Sequence, residues 1–127
     1  MELALEEAEL DPDAIDAVVA HATGTPKGDT AEIRAINNLF GGRSLAVTSL
    51  KGTIGHTGSA AGAMGLLAGI TAMHDGKLAP TMGTSDPEPE IDFDVVMHSA
   101  ADVQVQALQV NAFGFGGQDA SLVVTKG

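Results

Sequence analysis

The chain has no cysteine, no tryptophan and no tyrosine, and only 6 lysines and arginines stand against 17 aspartates and glutamates. Lack of cysteine rules out disulfides, thiolate metal sites and a cysteine nucleophile within these residues. It also suits a cytoplasmic setting. Aromatic residues make up 3% of the sequence, leaving almost nothing to stack on nucleic-acid bases. A net charge of −11 repels phosphate backbones, which argues against nucleic acid as a partner. The start, Met1-Glu2-Leu3-Ala4-Leu5-Glu6-Glu7, is acidic where a secretory signal would be basic. No charged residue lies between Lys51 and Asp75. That apolar stretch, Ala60 to Met73, is still too short and too rich in glycine and alanine to span a bilayer, and reads as a buried helix.

What remains fits one small domain with a core: 127 residues, 44% of them hydrophobic. Met1 to Leu10 carries Leu3, Leu5 and Leu10 among acids and reads as a helix stopped by Asp11-Pro12. Ile15 to Ala20 reads as a buried strand. Asp29 followed by Glu32 resembles a capping box, which opens a helix to Phe40 with Ile33, Ile36, Leu39 and Phe40 on one face; Gly41-Gly42 ends it. Leu45 to Thr48 reads as a second strand. Gly58-Ser59 opens another helix that ends at Gly76. Ala79 to Glu90 reads as a surface loop. Phe93 to Met97, Val105 to Val110 and Ala120 to Thr125 are strand candidates, the last two pairing antiparallel. The order α-β-α-β-α-β-β-β implies a layered α/β fold with a mixed sheet.

Two histidines stand out. Each follows a strand-like run and sits in a loop of glycine and threonine: His21-Ala22-Thr23-Gly24-Thr25, and Lys51-Gly52-Thr53-Ile54-Gly55-His56. A shared strand–loop–helix rhythm places both at one sheet edge, where such folds carry their ligand loops. Paired imidazoles donate hydrogen bonds to a developing oxyanion and exchange protons near neutral pH. Lys51, five residues before His56, suits either holding the local charge balance or biasing that imidazole. The hydroxyls of Thr23 and Thr25 suit an amide-bearing ligand. The third glycine-rich segment, Asn111-Ala112-Phe113-Gly114-Phe115-Gly116-Gly117, offers backbone N–H groups to an anionic oxygen and a flap to close over the histidines. Gly24 to Asp29 lacks the ending of a phosphate-binding P-loop. No metal site is expected from two histidines without an ordered acidic partner. His74, at a helix C-terminus, reads as structural.

In this order, the three segments resemble the C-terminal part of the β-ketoacyl synthases, the condensing enzymes of fatty-acid and polyketide synthesis, which have a thiolase-like fold. The resemblance runs from about Leu3 to Val124. It implies a decarboxylative Claisen condensation. A malonyl thioester on the phosphopantetheine of an acyl carrier protein loses carbon dioxide, and its carbanion attacks an acyl thioester held on a cysteine. His21 and His56 would stabilise the enolate and Lys51 would tune His56. Thr23 and Thr25 would hold the pantetheine arm. Phe115 would gate the nucleophile and lend its backbone N–H to the oxyanion hole, Phe113 would line the same pocket, and Gly116 would belong to that gate and oxyanion loop. No further cofactor is implied. Gly65 stands where fatty-acid-type members carry a glutamate, and Gln118-Asp119 replaces an asparagine-bearing ending.

The resemblance covers the half of such an enzyme that lacks the cysteine. The expectation is therefore a His/His portion that cannot condense alone and needs an N-terminal half or companion chain, as a hetero- or homo-oligomer. The alternative is a non-catalytic ketosynthase-like subunit, or an inactive piece, that only binds a partner or acyl carrier protein. Lys27, Arg34, Arg43 and Lys77 are the candidates for a basic rim that meets an acidic carrier.

Overall fold

The computed structural model describes residues 1–127. Its centre is β1 (Ala17–Val19), a strand buried on both faces because parallel neighbours and covering helices enclose it. It pairs in parallel with β2 (Ala46–Thr48) on one side and with β6 (Ala107–Gly114) on the other. Outside β2 lies β4 (Asp94–Val95), also parallel; outside β6 lies β7 (Gln118–Thr125), antiparallel. The sheet order is β4-β2-β1-β6-β7. These are the five strands expected from the apolar runs, and the mixed sheet is as expected.

Helices cover both faces. On one, Leu5 of α1 (Glu2–Glu7) and Ile36 and Phe40 of α2 (Pro26–Phe40) pack on Val18, Val47 and Ala107. On the other, Ala72 and Met73 of α4 (Ala61–Asp75) pack with Ala17, Val19, Leu108 and Val110. The alternation along β6 decides which residue goes where: Leu108 and Val110 face α4, while Ala107, Gln109 and Asn111 face α1 and α2. Glycine lets α4 lie close to the sheet. A Cβ on Gly69 would stand 2.8 Å from Leu108 Cδ2, and one on Gly65 3.2 Å from Val110 Cγ1. Gly76 ends α4 in the left-handed conformation, φ +67°.

Several boundaries depart from expectation. The first helix stops at Glu7, and a separate 3-10 turn, Pro12–Ala14, precedes β1. Helix α2 starts at Pro26, whose fixed φ suits a first helical position, so Asp29 and Glu32 do not open it. A short helix, α3 (Lys51–Ile54), forms within what reads as a loop, and a 3-10 turn, Gly58–Ala60, leads into α4. Two two-residue strands, β3 (Lys77–Leu78) and β5 (Ala101–Asp102), make a separate antiparallel pair. Loop 79–93 is pinned by Asn37: its Nδ2 donates to the Glu90 carbonyl at 2.6 Å, and its Oδ1 accepts from the Asp92 amide at 3.1 Å. Arg43 is not free for a basic rim. Its guanidinium donates to the carbonyls of Pro12 and Ile15 and lies over Phe40. Arg34, also exposed, pairs with Glu90 at 3.7 Å, leaving Lys27 and Lys77 as the exposed cations of that set outside an ion pair.

Candidate active site

The site forms where three neighbouring strands end. His21 follows β1, Lys51 and His56 follow β2, and Phe113 lies near the end of β6. The two imidazoles stand edge to face with centroids 5.7 Å apart. Phe113 packs against His21 at 5.6 Å, tilted by 55°. The two histidine loops, distant in sequence, thus share one small volume.

The neighbours of each Nδ1 favour one tautomer in the neutral state. The Gly58 amide donates to Nδ1 of His56 at 3.2 Å, which leaves the proton on Nε2. Nδ1 of His21 lies 3.5 Å from the Lys51 ammonium, which is donor-only, so His21 also carries its proton on Nε2. Lys51 further donates to the His21 carbonyl. The lysine contact therefore falls on His21, not on His56 as expected. Burial lowers the His21 pKa below 6.5, and the charges of Lys51 and His56 push the same way. Burial likewise lowers the Lys51 pKa, against the pull of Glu32 and Asp29.

The acids of α2 hold the first histidine loop. Asp29 accepts the Gly24 amide at 3.1 Å. Glu32, buried, accepts the His21 amide on Oε1 and the Ala22 amide on Oε2, each at 2.8 Å, and Asn111 Nδ2 at 3.0 Å. Burial raises the Glu32 pKa, while these donors and Lys51 oppose it. All its hydrogen-bonding neighbours are donors, so the surroundings accommodate the carboxylate. The spacing taken for a capping box is a loop clamp instead. Sequence reasoning missed Glu32 and Asn111. The available signal was helical period: Glu32 shares the buried face of Ile36 and Phe40.

The hydroxyls of Thr23 and Thr25 lie 3.2 Å apart beside the site. Phe115 is not folded over the histidines. It sits at the tip of the β6–β7 hairpin, fully exposed at 105%, followed by Gly116 and Gly117 with φ +83° and +77°. The aromatic ring that meets His21 is Phe113. Behind Lys51, a cavity of about 20 Å³ reaches Gly65 and Asn111, a volume that fits one water molecule.

Residues 1–85 match the model of the beta-ketoacyl synthase C-terminal domain. The chain is 37% identical over 128 aligned residues to 3-oxoacyl-[acyl-carrier-protein] synthase 2 of Staphylococcus aureus, covering 99% of this chain and 31% of that protein. A beta-ketoacyl synthase from Burkholderia phymatum superposes with a TM-score of 0.94 at 36% identity, over 99% of this chain and 31% of that one. The ishigamide ketosynthase/chain length factor gives a TM-score of 0.93 at 33% identity, over 99% and 32%. The chain thus spans about a third of the length of the relatives it matches. Ordered motifs, thiolase-like layering and these matches agree: the chain belongs to the β-ketoacyl synthase family and corresponds to its C-terminal part.

Proposed function

We propose that this chain supplies the two-histidine half of a decarboxylating β-ketoacyl-[acyl-carrier-protein] synthase and works with a cysteine-bearing portion. The observation that carries this reading is the pair of perpendicular imidazoles 5.7 Å apart, each with Nδ1 facing a donor, the Lys51 ammonium or the Gly58 amide, so that Nε2 is the nitrogen left to carry the proton. Two such N–H groups reach one carbonyl oxygen of a malonyl thioester and stabilise the negative charge it acquires when the C–C bond to the carboxylate breaks and carbon dioxide leaves. The enolate then attacks the acyl thioester on the companion's cysteine. A C–C bond forms, and the thiolate departs with the electron pair of the C–S bond. The low His21 pKa supports a neutral donor there. The Thr23 and Thr25 hydroxyls flank the entry and would hold a pantetheine amide. Phe115 on its glycine hinge would fold in only when the companion is bound.

Two observations support the companion. The chain lacks cysteine. The outer face of α4 exposes Met64, Leu67 and Ile70, and Met64 lines one cavity with the exposed Ile54 and with Lys51, an apolar strip that needs cover. Lys27 and Lys77 would meet the acidic carrier protein.

The test is release of carbon dioxide from malonyl-acyl carrier protein by this chain, with and without a cysteine-bearing N-terminal ketosynthase portion. Addition is expected to raise decarboxylation and start condensation. His21→Ala and His56→Ala in the assembled pair are each expected to lower decarboxylation by about 10²–10³-fold. No gain on adding the portion would overturn the reading in favour of a non-catalytic subunit.

A further inference from the structure

One set of buried polar groups plays no part in the chemistry above. Gln109 and Asn111 lie on the α2 side of β6, and Ser121 stands directly opposite Asn111 on the edge strand β7. Gln109 is completely buried and Asn111 nearly so. Gln109 Nε2 donates to Ser121 Oγ at 2.9 Å and to the Met1 carbonyl at 3.0 Å. Ser121 Oγ in turn donates to Asn111 Oδ1 at 2.8 Å. Asn111 Nδ2 donates to Glu32 Oε1 at 3.0 Å, and Glu32 receives the His21 and Ala22 amides.

The three side-chain bonds, from Gln109 to Ser121, from Ser121 to Asn111 and from Asn111 to Glu32, all donate toward Glu32. The amide of Gln109 occupies the acceptor side of the Ser121 hydroxyl, so the hydroxyl proton goes to Asn111. That bond fixes which end of the Asn111 amide faces Glu32. A flipped amide would aim its oxygen at the carboxylate, two acceptors without a proton between them. The hydroxyl on the outermost strand therefore turns the Asn111 amide so that its Nδ2, which also lies 3.2 Å from Met1 Sδ, gives Glu32 a third donor beside the two backbone amides.

We propose that Ser121 is a positioning residue for His21, acting through Asn111 and Glu32 on the backbone turn that carries the imidazole. The inference deepens the proposed reaction, because it takes His21 as one of its two imidazoles; the contacts themselves do not depend on that reaction. Ala22 gives the turn something to be held against. Its φ of +32° is unfavourable for a residue with a Cβ, and its amide is one of the two that Glu32 grips. The β6–β7 register thereby reaches the site without touching it: a slip of one residue would turn Ser121 to the opposite face.

The test is residue-resolved amide exchange on this chain, which needs no activity and so stands apart from the ketosynthase assay. In Ser121→Ala, protection of the His21 and Ala22 amides is expected to fall about tenfold, while Val18 and Val19 of β1 keep theirs. Ser121→Thr, which retains the hydroxyl, is expected to restore it. Asn111→Asp, which removes the donor to Glu32, is expected to reproduce the loss. Unchanged His21 and Ala22 exchange in Ser121→Ala would overturn the proposal. A fall shared equally by β1 would also overturn it, since that is general destabilisation.

Discussion

Glu32 serves two backbone amides and one side-chain amide from a buried position. Removing its oxygens leaves those donors without their partners, so Glu32→Leu is expected to destabilise the chain by about 3 kcal/mol, read from urea unfolding. At His21 the effect is one of pH. Burial, Lys51 and His56 hold its pKa below 6.5 in the folded chain, whereas the unfolded chain takes up the proton near the ordinary value. Between those two values the unfolded state binds more protons, so stability rises with pH and is lost on acidification through that window. The wild-type chain is therefore expected to lose more stability than His21→Gln as pH falls below 6.5. Parallel losses in matched denaturant titrations would refute the assignment.

Among the elements, α3 bears the tightest constraint. A Cβ on Gly52 would lie 1.7 Å from the Met82 carbonyl oxygen, and a backbone atom cannot swing aside as a side-chain tip does. Gly52→Ala is expected to cost about 3 kcal/mol and to displace the neighbouring Lys51, measurable as a fall in Tm with a changed His21 imidazole signal. This short helix was illegible in the sequence because Lys-Gly-Thr-Ile has weak helix propensity and tertiary contact with the Met82 backbone sets its course. The β3–β5 pair was missed for a related reason: two residues carry no periodicity. The five-strand sheet was legible because each strand is a short apolar run between turn signals, and α4 because Gly76 ends it. The sites divide the same way. Both histidines were legible from their glycine and threonine surroundings. The Lys51 contact was not, since a spacing of five residues from His56 says nothing about His21 across the neighbouring strand. Glu32 was hidden by its likeness to a helix cap.

At the scale of the whole molecule, α4 has one face against the sheet and another, at Met64, Leu67 and Ile70, open. Leu67 is 58% exposed, so Leu67→Ser is expected to change stability by no more than about 0.5 kcal/mol. The same change is expected to weaken pairing with a cysteine-bearing portion at least tenfold, by titration calorimetry; equal affinity would show that this strip is not the contact. The sheet has a further consequence. The groups of the site leave β2, β1 and β6, three successive members of one hydrogen-bonded ladder. Peptide geometry separates such strands by about 4.8 Å, and the rings stand 5.7 and 5.6 Å apart. The His21–Phe113 spacing is thus gauged by the main chain, while α3 carries His56 to its place beside them. Exchanging one apolar residue for another beneath them leaves the gauge intact, whereas deleting a single residue where any of these three strands exits would reset it.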